Sequence, residues 1–380
     1  MTPRSVVLVG GSTAGSTLMR ELRRRGFEGD LTLIDPADGT HRPPLSKAVL
    51  TSSTDSADSA DSAERSVVID HAGLGMTHHR SAAVGLDPDA RHVVTADGEH
   101  HRYDALVVAT GAHARRLAEP GQRGEVVLRT LTDARDLRRR MADSTTAVVV
   151  GGGFLGFEVA TAIAHRGTAV TIVDPQPPLP LLGPYLAARI VERAEAMGIT
   201  VLTSSATLIG NPVSGVELGD GRRLEADLVV SCVGDLPATS WLAGTPLGTP
   251  RGVQIDELAR TSAPGVYAIG DVAFVRSGGV ARRTPQWANA VTQARVAAAA
   301  VLGQPVADPI VDPYYWTDIA GLPVKIVGPL PTRGTPAVLE DAGDAGAILA
   351  WEGPTVAAIG LRRPASKLRA IARSLATIRT

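Results

Sequence analysis

The chain has 380 residues, of which 44% are hydrophobic and only 3% aromatic, so its cores must rely on Val, Leu, Ile and Ala. This length predicts two or three domains, because a single hydrophobic core does not grow so large. The formal net charge of −1 excludes a global field that would recruit nucleic acid or an anionic membrane. No run approaches the ~20 apolar residues of a membrane span. We expect a cytoplasmic protein, monomeric or homodimeric, without a bound metal ion.

The first predicted elements are a strand, a glycine-rich turn, a helix and a second strand, at residues 6–9, 10–15, 16–25 and 31–34. In a dinucleotide-binding unit the glycines allow a tight turn and close helix packing, and the pyrophosphate lies on the helix N-terminus. Ser12 stands where the middle glycine is expected, so the turn alone also fits an ordinary connection. Asp35, which ends the second strand, favours the nucleotide because its carboxylate can accept protons from ribose hydroxyls.

A polar segment follows, with a tandem Asp-Ser-Ala repeat within residues 51–64. Its small, weakly acidic side chains cannot bury enough apolar surface to order the backbone. The composition therefore predicts a mobile surface loop.

The arrangement of strand, turn, helix and strand recurs, at residues 147–150, 151–156, 157–165 and 169–173. Here the glycine motif is intact, with Gly151, Gly153 and Gly156. Asp174 ends the second strand, where a carboxylate binds the ribose 2′-hydroxyl of NAD and repels the 2′-phosphate of NADP. The motif predicts a site that prefers NADH, and the alternative is a glycine-rich turn without a ligand.

Cys232 is the only cysteine, which excludes an intrachain disulfide and a paired-cysteine relay. We expect an inert core cysteine within a strand at residues 228–233. Another short strand, within residues 264–271, closes on Gly270 and Asp271. Beyond residue 309 the pattern changes to strands at 324–327 and 347–350 and a terminal helix at 366–378.

These elements predict an α/β fold with two Rossmann-like three-layer dinucleotide-binding domains and a small α+β C-terminal domain. We place a discontinuous first domain at residues 1–113 and 237–308. The second dinucleotide-binding domain covers residues 114–236, and the C-terminal domain covers residues 309–380.

Short runs along the whole chain carry a family resemblance. They are Arg42-Pro43-Pro44-Leu45-Ser46-Lys47, Ala109-Thr110-Gly111-Ala112, Leu128-Arg129-Thr130-Leu131, 151–158, 261–273, Trp287-Ala288-Asn289-Ala290 and Pro313-Tyr314-Tyr315-Trp316-Thr317-Asp318. In this order they resemble the FAD-dependent NAD(P)H:ferredoxin reductases of oxygenase and cytochrome P450 systems, the putidaredoxin reductase type. That family has the pyridine nucleotide-disulfide oxidoreductase fold without the redox disulfide.

The resemblance implies FAD and NADH as cofactors, with hydride transfer from NADH C4 to FAD N5 and then two single-electron steps to a [2Fe–2S] ferredoxin. It implies FAD-binding positions at Gly10, Gly11, Ser12, Ala14, Gly15, Asp35, Arg42, Lys47, Ala83, Ala109, Thr110, Gly111, Arg129, Gly270, Asp271, Trp287 and Trp316. The corresponding NADH positions are Gly151, Gly153, Phe154, Leu155, Gly156 and Asp174. The two tryptophans are expected to flank the isoalloxazine; the alternative is that they pack in the core with the indole N–H satisfied.

Lys47 and Glu158 are the predicted catalytic residues. In the family the glutamate pairs with the lysine beside flavin N5, where a cation stabilises negative charge on the flavin and the carboxylate holds the cation in position. The alternative is two solvated surface charges.

The sequence is compatible with three functions. The first is the ferredoxin reductase. The second is a flavin-dependent NADH oxidase or small-molecule reductase, and the third is a redox-sensing flavoprotein of the apoptosis-inducing-factor type. For the first, a basic C-terminal stretch suggests docking of an acidic ferredoxin, although a solvated basic helix would have the same pattern. Its residues are Arg362, Arg363, Lys367, Arg369, Arg373 and Arg379.

Overall fold

The computed structural model describes residues 2–51, 62–277 and 280–378. The predicted loop at 51–64 therefore lies largely outside the described residues. The chain forms two compact units. Unit 1 comprises Met1–Pro43, Glu64–His113 and Asp235–Asp312, and unit 2 comprises Pro44–Ala63, Ala114–Gly234 and Pro313–Thr380. The division into three domains stays a prediction.

The elements are numbered along the chain. The first are β1 Ser5–Val9, α1 Thr13–Arg24, β2 Asp30–Ile34, α2 Ala48–Thr51, β3 Thr77–His79, β4 Ala83–Asp87, β5 His92–Thr95, β6 His100–Arg102, β7 Ala105–Val108, β8 Ala112–Ala114, β9 Val126–Val127, α3 Leu131–Ala142, β10 Thr146–Val150, α4 Phe154–Ala164, β11 Ala169–Asp174 and α5 Pro184–Ala196. They continue with β12 Thr200–Thr203, β13 Ala206–Gly210, β14 Val213–Leu218, β15 Arg223–Glu225, β16 Leu228–Ser231, β17 Asp235–Pro237, β18 Val253–Ile255, β19 Val266–Ala268, β20 Ala273–Ser277, β21 Val280–Arg282, α6 Trp287–Val301, β22 Tyr314–Ile319, β23 Leu322–Val327, β24 Ala337–Asp341, β25 Ala347–Ala350, β26 Val356–Ile359 and α7 Ala365–Ile378.

Unit 1 is built on a parallel sheet with the strand order β19-β7-β1-β2-β3. The central strand β1 buries Val6, Val7, Leu8 and Val9, as expected for a parallel strand covered on both faces. Helix α1 begins at Thr13, three residues before the predicted start, because the glycine turn feeds directly into it with Ser12 as N-cap. Two three-stranded sheets complete the unit, in the orders β4-β5-β6 and β18-β20-β21.

Unit 2 repeats the plan with a parallel sheet in the order β12-β11-β10-β16-β9. The antiparallel sheet β13-β14-β15 packs its apolar side chains into the same hydrophobic core. The prediction of an α/β fold with two Rossmann-like units is confirmed.

The C-terminal residues of unit 2 form an antiparallel sheet in the order β22-β23-β26-β25-β24. Helix α7 covers this sheet, and its Leu368 and Ala372 join Val327, Ile348 and Val356 in a separate hydrophobic core. Across the part of the chain that the structure describes, no helix is both long and apolar enough to cross a membrane.

Candidate functional site

The turn between β1 and α1 leaves no room for side chains at two positions. Gly10 has φ +104°, and a Cβ there would overlap the carbonyl oxygen of Ala109; a Cβ on Gly15 would overlap the carbonyl oxygen of Gly10. The backbone of α1 therefore starts against the end of β1, which only glycine permits. Ala14 is buried and lies close to Gly270, whose φ is +75°.

Asp35 holds this turn through its side chain. One carboxylate oxygen accepts a 2.7 Å hydrogen bond from the Gly11 N–H, and the other accepts one of 3.0 Å from the Ala37 N–H. A carboxylate has about four lone-pair directions, so two protein donors leave acceptor capacity for ribose hydroxyls. His71 also reaches this turn, with Nε2 3.0 Å from the Gly11 carbonyl oxygen.

The turn between β10 and α4 has the same construction. A Cβ on Gly151 would overlap the Cys232 carbonyl oxygen, and one on Gly156 would overlap the Gly151 carbonyl oxygen. Asp174 accepts a 2.6 Å hydrogen bond from the Gly152 N–H. The two turns are thus geometric counterparts, although Ser12 replaces the middle glycine in the first.

Both turns fit the diphosphate of a dinucleotide. The first turns of α1 and α4 carry no acidic residue. Ser12, the N-cap of α1, makes no side-chain hydrogen bond to these N–H groups within the described residues, and Gly153, the N-cap of α4, has no side chain to do so. These amides and the helix dipole form an anion site. A Cβ on Gly153 would meet no described heavy atom within 4 Å, so this side of the turn is open. Ser12 directs its hydroxyl to the Thr40 N–H at 3.4 Å, which shows that the serine is accommodated in the first turn.

Two other predicted FAD positions lie side by side in unit 1. Arg42 and Asp271 form an ion pair in which the Asp271 side chain is 11% exposed. Arg283 donates to the Asp271 carbonyl oxygen at 2.9 Å, and Gln293 accepts from the Gly270 N–H at 2.7 Å. Sequence reasoning missed Gln293 and Arg283, because neither stands in a recognisable spacing.

The remaining predicted cofactor-binding positions are spread over both units. Ala109 and Gly111 follow β7, where Thr110 Oγ1 donates to the Ala238 carbonyl oxygen at 2.8 Å. Ala83 opens β4 opposite Thr95. Arg129 lies in unit 2, and its N–H donates to Asp133 at 3.1 Å. Phe154 and Leu155 begin α4 and are partly exposed.

The Glu158 carboxylate in unit 2 is buried and has three side-chain partners. Lys47 Nζ lies 2.6 Å from Oε1, Thr317 donates to the same oxygen at 2.7 Å, and Ser46 donates to Oε2 at 2.5 Å. Glu158 is 9% exposed and Lys47 is 24% exposed, so the alternative of two solvated surface charges is wrong. A carboxylate this deep is stable only with such charge-assisted partners. Ser46 and Thr317 were missed as partners, although both stand in runs that carry the family resemblance.

Trp316 adds an aromatic face to this ion pair. Lys47 Nζ lies 4.7 Å from the centroid of the Trp316 ring, within the range of a cation–π interaction. Trp316 is 37% exposed and Trp287, in unit 1, is 42% exposed. The alternative that these two tryptophans pack in the core is therefore wrong.

Cys232 follows β16 and does not belong to the strand, which ends at Ser231. The predicted extent of that strand was too long by two residues, and Cys232 as a whole is partly exposed. Burial of the thiol, and next the negative charge of Glu158, raise the pKa of Cys232 to about 12. The thiolate needed for redox chemistry is thus suppressed at neutral pH.

Each unit thus has a glycine-rich turn with a strand-end acid, which is the construction of a dinucleotide-binding site. The family profile described as pyridine nucleotide-disulphide oxidoreductase matches residues 4–294. The chain belongs to this family.

Relatives and a solved structure cover nearly the whole chain. The rubredoxin-NAD(+) reductase of Pseudomonas putida is 34% identical over 339 residues, which are 86% of this chain and 87% of the relative. The ferredoxin reductase component of chlorobenzene dioxygenase from Cupriavidus sp. (strain PS12) is 36% identical over 355 residues, 90% and 85% of the two chains. The crystal structure of the covalent putidaredoxin reductase–putidaredoxin complex contains a chain with a TM-score of 0.84 at 27% identity, covering 97% of this chain and 93% of that one.

Substitutions at Gly153 and Gly156, two of the four glycines in the second turn, should have different effects. Gly156→Ala should lower the free energy of unfolding by about 1–3 kcal/mol, because its Cβ overlaps backbone that cannot move freely. Gly153→Ala should change it by no more than about 1 kcal/mol, yet weaken NAD⁺ binding, because its methyl group enters the open side of the turn. Thermal unfolding and calorimetric NAD⁺ titration measure the two effects. Equal NAD⁺ affinity in Gly153→Ala and the wild type would show that the nucleotide does not approach this face.

Proposed function

We propose that this protein is an FAD-dependent reductase that passes electrons from NADH to a [2Fe–2S] ferredoxin serving an oxygenase or a cytochrome P450. The observation that carries the proposal is the duplicated turn: each unit has one glycine-rich turn whose second residue donates an N–H to a strand-end aspartate. One chain thus offers two dinucleotide sites, as a flavoenzyme with a nicotinamide donor requires. The relatives named as rubredoxin and ferredoxin reductases support the acceptor class.

Bound FAD would supply the step between a two-electron donor and a one-electron acceptor. Unit 1 would hold it by the α1 N-terminus, by Asp35 on the adenosine ribose and by the Arg42–Asp271 pair. Unit 2 would hold NADH by the α4 N-terminus and Asp174. We also propose that the protein acts in the cytoplasm.

The presence of a single cysteine supports electron transfer through the flavin without a redox-active thiol. Burial of its thiol raises the pKa of Cys232 to about 12, and the sequence has no second cysteine to pair with it. Small-molecule reductases that work through a redox-active thiol are disfavoured on this ground. A flavin-dependent NADH oxidase and a redox-sensing flavoprotein remain as alternatives that use the same cofactors.

An electron-transfer assay tests the function. Purified protein should carry noncovalent FAD, bleach on anaerobic addition of NADH, and reduce cytochrome c rapidly only when a [2Fe–2S] ferredoxin is added. Ferricyanide reduction without ferredoxin is the control for intact flavin chemistry. Rapid NADH consumption by oxygen alone would favour the oxidase, and flavin that is reduced but passes electrons to no carrier would favour the sensor.

The donor preference depends on Asp174. NADH should reduce the flavin at least ~10-fold faster than NADPH, because the carboxylate opposes the 2′-phosphate. Asp174→Asn keeps an acceptor for the Gly152 N–H, which lies 2.6 Å from the present carboxylate, but removes the charge. The Asp174→Asn variant should show a smaller rate difference between NADH and NADPH, and adding Gln176→Arg should make this difference smaller still. Asp220→Asn, at an exposed hairpin acid paired with Arg222, is the matched control. Wild-type protein that uses both donors equally would refute the role of Asp174.

Lys47 and Glu158 are proposed to set the electrostatics of the flavin. A lysine held 2.6 Å from a buried carboxylate and against an indole ring has a fixed position, which a solvated lysine lacks. The fixed cation would favour negative charge on the reduced cofactor, and Glu158 would keep it in place. Ser46 and Thr317 act as positioning residues through Glu158.

Lys47→Met should slow flavin reduction by NADH about tenfold or more and lower the midpoint potential of bound FAD, because the cation is lost. Lys47→Arg should restore part of the reduction rate and part of the midpoint potential. Glu158→Gln should slow reduction less, since the amide can still bond to Ser46 and Thr317. Stopped-flow reduction and spectroelectrochemical titration provide the measurements, with exposed Lys367→Met as control. Wild-type rates and potentials in both the Lys47→Met and Glu158→Gln variants would leave the pair a purely structural role.

The positive charge near the C-terminus would suit an acidic ferredoxin. The chain has no acidic residue after Glu352, and α7 with the residues just before it exposes Arg362, Lys367 and Arg373. Arg379 lies outside the described residues. Arg363 pairs with Glu340, and Arg369 lies over the Tyr314 ring at 5.4 Å, so these two also serve packing. Complementary charge would raise the rate of encounter.

Ferredoxin-dependent cytochrome c reduction should therefore fall steeply with salt, since exposed charges are screened within ~10 Å at 0.1 M. Lys367→Gln with Arg373→Gln should flatten this dependence and leave ferricyanide reduction unchanged. Arg189→Gln with Arg193→Gln, on the exposed face of α5, is the charge-matched control. If the double variant keeps the wild-type salt dependence, α7 does not dock the ferredoxin.

A further inference from the structure

Two histidines and two carboxylates converge at one corner of unit 1, away from both glycine turns in sequence. His79 ends β3, His101 lies in β6, and Asp97 and Glu99 stand on the tight turn between β5 and β6. The turn is closed by hydrogen bonds between the backbones of Thr95 and Glu99 and of Gly98 and Thr95. The fold thus brings together residues from two different sheets.

One ligand atom each from His79, Glu99 and His101 lies within 4.8 Å of the other two. His79 Nδ1 is 3.7 Å from a Glu99 oxygen, and His101 Nε2 is 3.9 Å from the same oxygen. Ligand atoms on a tetrahedral zinc with bonds of 2.0–2.1 Å are separated by about 3.3 Å. A small side-chain movement would therefore close these three atoms on one ion.

One nitrogen of each histidine faces the Glu99 carboxylate. His79 Nε2 lies 2.9 Å from an Asp97 oxygen, which leaves Nδ1 as the nitrogen directed at Glu99. The only hydrogen-bond contact of His101 Nε2 given by the described residues is a 3.5 Å approach to the Thr95 hydroxyl, which is also 2.6 Å from Asp97.

The two imidazoles lie close together at a corner that is open to solvent. The ring centroids of His79 and His101 are 4.4 Å apart. Glu99 is 65% exposed, which leaves the corner open to an ion from solvent.

We propose that His79, Glu99 and His101 bind a divalent cation of the zinc class, with Asp97 orienting His79. Two imidazoles with carboxylate oxygen suit Zn²⁺ better than Mg²⁺ or Ca²⁺, which prefer all-oxygen sites. Asp97 stands at Nε2 while Nδ1 faces Glu99, the arrangement of a carboxylate–histidine–metal triad. The sequence predicts no bound metal ion, because the three ligands of this cluster lie on separate segments and form no recognisable motif.

The ion would fasten the β4-β5-β6 sheet to β3, an edge strand of the parallel sheet. The His79 carbonyl oxygen accepts a hydrogen bond from the Asp35 N–H at 3.2 Å, and Ile34 pairs with His79 in the sheet. Metal binding at the His79 side chain would therefore stiffen the strand on which the backbone of Asp35 rests. The expected consequence is a stronger hold on FAD, read as a higher temperature of flavin release.

Competition with a chromophoric chelator tests the site on the FAD-loaded protein. The wild type should bind about one equivalent of Zn²⁺ tightly, and zinc should raise the temperature at which FAD is released. His101→Gln and Glu99→Gln should each weaken zinc binding about 100-fold or more and abolish the zinc-dependent shift. Asp97→Asn, which affects only orientation, should weaken it about 10–100-fold. Because Glu99 is exposed, its variant should fold normally even if a histidine variant does not.

The chain supplies a matched control on the same sheet. His92 and His100 also lie together, with ring centroids 4.6 Å apart, but they are absent from the carboxylate-bearing cluster. The double variant His92→Gln with His100→Gln should keep zinc affinity within about twofold of the wild type. The proposal is overturned if the wild type binds no zinc against the chelator, if Glu99→Gln binds zinc like the wild type, or if the control loses the site instead.

Discussion

Both dinucleotide-binding units depend on the close approach of a helix to the strand that precedes it. Gly15 and Gly156 lie so near the carbonyl oxygens of Gly10 and Gly151 that no side chain fits between them. This contact fixes the helix N-terminus at the carboxyl end of the sheet, where its unpaired N–H groups face outward. The aspartate at the end of the second strand then accepts a hydrogen bond from the N–H of the turn's second residue. Anion site and ribose acceptor are both consequences of that packing.

Much of this arrangement was predictable from sequence, because it rests on local rules. Four consecutive buried apolar residues in β1, a glycine turn and an acid at the end of β2 are contiguous signals, and the structure has the predicted elements. The start of α1 was missed because Thr13, Ala14 and Gly15 resemble a turn in composition. They are helical because the pyrophosphate-type turn ends abruptly at Ser12. The strand before Cys232 was predicted too long because apolar continuity does not reveal where pairing stops.

Long-range partners were not predictable in the same way. The family resemblance implied that Glu158 pairs with Lys47, but the burial of Glu158 and its bonds to Ser46 and Thr317 depend on segments far apart in sequence. The exposure of Trp287 and Trp316 depends equally on what packs around them, which hydrophobicity alone predicts wrongly. The residues around His79 form no recognisable sequence motif, since they come from a sheet edge and from the tip of a hairpin.

The carboxylate of Glu158 also bears on how the chain is made. Its hydroxyl partners stand 112 residues before it and 159 residues after it. A nascent chain on the ribosome that ends before Thr317 has the helix and its glutamate but not the full set of donors. A buried carboxylate that lacks one of its hydrogen-bond donors is destabilised. Unit 2 therefore acquires the full set of donors to Glu158 only after the first strand of the C-terminal sheet has left the exit tunnel.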